Sequence, residues 1–360
     1  MSLHKMFSVL CLASVIGSGC GVAPEDTSRD AVQQAARGEG WTSGNYNQLF
    51  SATLEGQTVT GLYFAGGAWF VSTASSLTYA QVTSIAYNGQ AIAPQNLTTA
   101  QGSFLVIGAD AEDASVELVL TVAAPLAGTL RITAASTATD GSFSRYTTQW
   151  VSANADDATT SVGLCPKEVL VTKTTTQTVY ETMIPIGGVR WNLSGSKVSD
   201  ANAITLGCSQ DAIGGCVEWG YGPWGTRPDE VTGKPVSMAS VHQACTRMKR
   251  DDVCGSGSPL TTGYDAAQGV TTIHVKDRVG IHADTNQTLA TMEAFWNENG
   301  ASCFNESECR STNTTLLQRL AIIKTQCPSR FVACTGSHAG VLLSARPCTL
   351  TSAAGECVAN

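Results

Sequence analysis

VTSIAYNGQAI, residues 82–92, runs through Val, Thr, Ile and Tyr, meets Asn88-Gly89, and resumes with Gln, Ala and Ile. β-branched and aromatic residues fit a pleated, half-buried strand, and Asn-Gly tolerates the positive φ angles of a two-residue hairpin turn. The stretch therefore reads as a β-hairpin, and the pattern extends both ways. Residues 58–65, 68–74, 103–109, 115–122 and 129–135 are short apolar runs separated by Gly, Asn and Asp, with no helical period between them. About six strands at this spacing predict an all-β sandwich or barrel-like domain over residues 41–150.

Cysteine usage changes beyond that point. Cys11 and Cys20 lie near the start, and the other eleven cysteines fall between Cys165 and Cys357. Charge changes too: residues 21–160 hold four Arg, no Lys and twelve acidic side chains, whereas residues 161–360 are nearly balanced. A boundary is placed at the polar segment 151–164, giving two domains in a chain of 360 residues. Residues 165–360 read as an α+β, disulfide-rich domain. Strands are expected at 168–174, 178–186 and 270–276. Val241, Cys245 and Met248 share one face of a helix over 238–249, and Leu316, Leu317, Leu320 and Ile323 share one over 314–325. Leu289, Met292, Phe295 and Trp296 repeat that spacing, with Asp284 or Thr285 as a cap and Gly300 as a stop.

The first nineteen residues read as a secretory signal of lipoprotein type. Lys5 precedes an apolar stretch of twelve residues, Met6 to Gly17, too short to span a bilayer, and Ser18-Gly19-Cys20 resembles the end of a lipobox. Cys20 is the expected lipidation site, and residues 20–40 form a polar tether. Gly21 rather than Asp follows the cysteine, which by resemblance to Gram-negative lipoproteins implies the outer membrane, facing the periplasm or the cell surface. With charged residues at only 14% and no basic stripe, the composition fits an exported β-rich protein and argues against nucleic acid as a partner.

HQACTRMKRDDVCGSG, residues 242–257, poses the main chemical question. Zinc knuckles use Cys-x2–4-Cys, because two ligands on one tight turn must reach one ion. Here the close neighbours, Cys208 and Cys216, Cys245 and Cys254, Cys303 and Cys309, Cys327 and Cys334, Cys348 and Cys357, are separated by five to eight residues. In an exported chain that spacing reads as a disulfide framework, with each neighbour pair closing a short loop and Cys165 left unpaired. No metal site and no cofactor are expected. His242, three residues before Cys245, is the best case for a ligand pair with it.

LGCSQDAIGGCVEWGYGPW (206–224), HQACTRMKRDDVCGSGSPLT (242–261) and IHVKDRVGIH (273–282) together resemble the ADYC domain of bacterial exported proteins. The likeness is strongest over 205–300. The naming tetrad is DDVC here: Asp252 and Cys254 match, while Asp251 and Val253 stand in place of Ala and Tyr. The family has no established activity, so the resemblance implies export and a shared core, not a reaction. Gly220, Gly222 and Pro223 fit a tight turn, with Trp219, Tyr221 and Trp224 packed around it or offered as an aromatic platform for a sugar or peptide.

No Gly-x-Ser-x-Gly, His-Glu-x-x-His, P-loop or dinucleotide fingerprint occurs. The weak catalytic candidates are His242, Cys254 and the pair His282 and Asp284. The favoured reading is a lipid-anchored envelope module that binds or scaffolds, with an envelope protein or glycan as partner and the membrane reached through Cys20. One alternative is an envelope hydrolase acting through His242, Cys254 or carboxylates. The other is a metal or redox protein using the odd thiol or the pair His242 and Cys245.

Overall fold

Asn88 and Gly89 take φ of 47° and 78°, joining β4 (Ala80–Tyr87) to β5 (Gln90–Ala91). A computed structural model describes residues 48–108, 116–139, 141–153, 162–170, 176–260, 271–282, 288–306, 314–336, 341–350 and 357–358. Cys20 and its tether, Asp284 and Cys309 lie outside these residues, as do the side chains of Cys348 and Cys357. Among the described residues the fold is mostly β, with three α-helices.

After a short β1 (Thr53–Leu54) the strands follow the expected pattern: β2 (Gln57–Ala65), β3 (Ala68–Thr73), β8 (Glu117–Val122) and β9 (Gly128–Thr137). A small hairpin, β6 (Leu97–Ala100) and β7 (Ser103–Val106), forms its own sheet. β10 (Ser144–Ser152) pairs β9 along its whole length. The main ladder then runs β2–β14–β13–β10–β9–β8–β4–β3, and β3 pairs back to β2, so eight strands close a ring. β13 (Met183–Trp191) and β14 (Lys197–Cys208) follow the segment 151–164. The sheet therefore spans the boundary placed there: residues 41–150 lack two strands that closure requires. Leu62, Val71, Leu118, Leu120, Leu130, Ile132 and Ile204 fill the interior, each almost wholly removed from water.

Beyond the ring, β11 (Pro166–Leu170) pairs β12 (Thr176–Tyr180). A short helix, α1 (Ala212–Glu218), packs directly on β14, where a Cβ at Gly214 would stand 2.2 Å from the Cys208 carbonyl oxygen. After the ribbon β15 (Thr226–Pro228) and β16 (Pro235–Ser237) comes α2 (Met238–Arg250). A second sheet orders β17 (Thr271–Asp277), β20 (Leu343–Leu350), β18 (Ala294–Asn297) and β19 (Gly300–Phe304), with β21 (Cys357–Val358) beside β20. α3 (Thr314–Gln326) matches the expected third helix. The helix expected around Leu289–Trp296 is instead β18. Ala294 and Trp296 point inward with no exposure, a period of two, and pairing with β19 and β20 overrides the helical spacing.

Among the described residues four disulfides join Cys165–Cys208, Cys216–Cys245, Cys254–Cys327 and Cys303–Cys334. They replace four of the five expected neighbour pairs, and Cys165 is bonded rather than left over; the fifth expected pair, Cys348 with Cys357, falls on side chains outside those described. The reason is packing: Cys208 ends β14 beside the start of β11, whereas Cys216 sits on α1 facing α2. Each bridge ties two elements instead of closing a local loop.

Candidate functional site

α2 is polar in sequence yet buried along most of its length, so its polar groups must find partners inside. His242 has no exposure, and its Nε2 donates to the Ile213 carbonyl oxygen at 3.0 Å, which makes Nε2 the protonated nitrogen. The ring lies 5.5 Å from that of Trp191. Burial, reinforced by the positive charge of Lys197, pushes its pKa well below the usual imidazole range. Cys245, its proposed ligand partner, is bonded to Cys216. Gln243 bridges to the Gly195 carbonyl and the Lys197 amide.

The tetrad is a corner. Asp251 ends α2 in the left-handed region at φ 56°. Asp252 faces Arg247 in a fully buried ion pair and accepts the amides of Ser256 and Gly257. Arg247 also donates to the Ser194 carbonyl at 2.6 Å and to Ser196 Oγ at 2.8 Å. Val253 is buried, its carbonyl accepting the Ala301 amide, and Cys254 is bonded to Cys327. Lys249 donates to the Asp211 carbonyl at 2.9 Å and sits 5.2 Å from the Trp219 ring. Gly215 leaves room for that ammonium group, since a Cβ there would lie 1.6 Å from Nζ. Burial lowers the Lys249 pKa to about 8 and raises that of Asp211, the α1 cap, to about 7.

His282 and Tyr221 meet around a third buried carboxylate. Tyr221 donates to Asp277 Oδ2 at 2.8 Å, and the other oxygen of Asp277 accepts the amides of Val279 and Ile281. His282 Nε2 bonds to the Trp219 carbonyl at 2.8 Å, and its ring lies 5.4 Å from that of Tyr221. The Asp284 half of the expected pair lies outside the described residues.

The aromatic platform is reduced to one ring. Trp219 and Tyr221 are buried in the core around α2, while Trp224 is half-buried and folds over Gly102 and Gly222. It lines a cavity of about 220 Å³ with Gln101, Phe143 and Arg227, where the motif meets the ring. Close by, Arg145 of β10 grips Glu218 of α1 through two hydrogen bonds of 2.8 and 2.5 Å. Among the described residues no group of three His, Cys, Asp or Glu side chains gathers where it would hold a metal ion.

Sequence reasoning missed Arg247 and Asp277, the residues that organise this region. Both lie inside the motifs quoted for the family, where other charges flank them, so no local signal set them apart.

The family model for the ADYC domain matches residues 110–310, more than half of the chain. The match begins ahead of β8 and runs past β19, so it takes in ring strands as well as α1 and α2. No curated protein and no solved structure matches.

Proposed function

The chain belongs to the ADYC-domain family, and on that premise we propose that it is an exported, lipid-anchored envelope module that binds or scaffolds rather than catalyses. One observation carries the reading: the groups best suited to chemistry are bonded inside the protein. His242 is sealed from water against Ile213, Cys254 is half of a disulfide, and His282 is tied to the Trp219 carbonyl. A general base must reach a substrate proton and a nucleophilic cysteine must be a thiolate, and these three groups are committed elsewhere.

The four disulfides fit an oxidising compartment. The leader pattern before Cys20 supports anchorage by acyl chains, with the outer membrane as the destination. The acidic balance supports an envelope protein or glycan as partner in preference to nucleic acid.

The test is expression of the full chain in a Gram-negative host, followed by fractionation and mass spectrometry of the N-terminal peptide. A Cys20 peptide carrying acyl chains in the outer membrane, with Cys20→Ser released to soluble fractions, is the expected result. Turnover of peptidoglycan or casein by the purified chain, abolished by His242→Gln in a folded variant, would overturn the non-enzymatic reading.

A further inference from the structure

The closed ring has an end at which its ladder runs out. β14 and β2 share three register pairs, Ala203 with Tyr63, Ile204 with Leu62 and Thr205 with Gly61. Leu62 and Ile204 belong to the interior core. Side chains alternate along a strand, so Phe64 and Asn202, each two residues further on, continue the same inward columns past the last pair. The β6–β7 hairpin lies across this end, with Thr99 Oγ1 where a Cβ at Gly187 of β13 would stand, 1.8 Å away. Between these parts is a cavity of about 470 Å³. Barrel mouths and volumes of roughly 300–1,000 Å³ are where small ligands bind.

Its lining is chemically mixed. Phe64 and Trp69 form one wall, their ring centres 5.2 Å apart, and Ile107, 63% exposed, stands on the rim. The lining also holds four uncharged polar side chains, Gln95, Thr98, Thr99 and Asn202. None of the four side chains makes a hydrogen bond among the described residues. A second cavity, of about 230 Å³, differs in this respect: Thr60 bonds to Ser72, Thr73 to Ser75, and Thr205 to the Val189 carbonyl.

The lining of the mouth includes no ionisable side chain, so an ionic ligand would lose water without gaining a counter-charge. An aliphatic chain would strand two amides and two hydroxyls against carbon. A neutral sugar satisfies both sides, laying its C–H face on the aromatic wall and its hydroxyl fringe against Gln95, Thr98, Thr99 and Asn202. We propose that the mouth of the ring, at Phe64, Trp69, Gln95 and Asn202, binds a neutral oligosaccharide. The proposal rests on the binding-module reading and names its ligand class and site.

Calorimetry and tryptophan fluorescence on residues 21–360 test it, with maltotriose and N,N′-diacetylchitobiose as neutral probes, digalacturonate as a charged probe and decanoate as an aliphatic one. Saturable binding of a neutral probe is expected, with little dependence on salt. The double variant Gln95→Ala, Asn202→Ala should weaken it at least about tenfold, the loss of one to two hydrogen bonds. Both positions are exposed, and an unchanged Tm confirms that the variant is folded. Binding of only the charged or the aliphatic probe, binding undiminished in the variant, or no binding at all overturns the proposal. Cleavage of a bound neutral probe would instead overturn the non-enzymatic reading while leaving the site in place.

Discussion

Arg247 and Asp252 form an ion pair whose side chains are 2% and 0% exposed, across the corner where α2 ends. The pair has neighbours that make it tolerable. Arg247 also serves the Ser194 carbonyl and Ser196 Oγ, and Asp252 also takes backbone amides, so the buried charges are surrounded by hydrogen bonds. Arg250 approaches the same carboxylate at 3.7 Å. Asp252 therefore balances two guanidinium groups while fixing the loop that follows.

Asp252→Asn should be among the most damaging single changes in the chain. It leaves two buried cations without their carboxylate, and breaking a buried pair from one side costs about 3–5 kcal/mol. Urea unfolding of the oxidised protein measures this. A loss below about 1 kcal/mol, the range of an exposed pair, would mean that the corner is solvated.

The disulfides should differ in their access to reductant. Cys254 and Cys327 are half-buried, whereas the cysteines of the other three bridges have between 0 and 5% exposure. Brief treatment with dithiothreitol and alkylation, read by peptide mapping, should label Cys254 and Cys327 first. This bridge also spans 73 residues of sequence. On the chain-entropy estimate, Cys254→Ala with Cys327→Ala should cost about 4 kcal/mol. First labelling at Cys216 and Cys245 would contradict the packing of α1 on α2.

Local chemistry was legible in the sequence, and tertiary choice was not. Asn88-Gly89 announced its turn because the constraint is carried by the two residues themselves. α2 announced itself through Val241, Cys245 and Met248. α1 did not, because Gly214 and Gly215 are weak helix formers; they are there so that helix, strand and Lys249 can approach closely. Leu289, Met292, Phe295 and Trp296 fit a helical face, and pairing with β19 close by and with Leu343 to Ala345, more than forty residues away, makes Ala294–Asn297 a strand. The cysteines marked a cross-linked region, but which halves meet depends on elements brought together from afar. Likewise nothing in the sequence marks the charges of residues 247–252 as buried, because burying them needs the loop at 194–196 as a partner.

Acid should expose the neutral histidine. His242 is held unprotonated by burial, with its pKa well below the usual 6.5, while in the unfolded chain it takes up a proton near that value. As pH falls below about 6.5 the unfolded state binds more protons than the folded one, so this group's contribution is lost progressively toward its depressed folded pKa. Asp211 acts in the opposite sense. Its pKa, raised from 3.8 to about 7, makes the folded state hold a proton that the unfolded state has released, so stability falls as pH rises between those values. The two trends overlap, and a difference measurement separates them. The unfolding free energy of the parent minus that of His242→Gln should fall as pH is lowered from 7 to 5. A flat difference would show that the imidazole is solvated.

Ring closure itself depends on Gly61. A Cβ at this position would stand 2.1 Å from the Ile204 carbonyl oxygen, and the obstacle is backbone, which cannot turn aside as a side chain does. The seam it occupies has three register pairs, against nine between β9 and β10, so little else holds β2 to β14. Gly61→Ala must push the strands apart or bend one of them, and overpacking of this kind costs about 1–3 kcal/mol. The loss should concentrate locally. Amide exchange at Leu62, Tyr63 and Ile204 should accelerate more than at Leu130 and Ile132, whose ladder lies across the ring. Unchanged exchange at the seam, with an unchanged urea midpoint, would mean that β2 and β14 are not joined in solution and that the sheet is open.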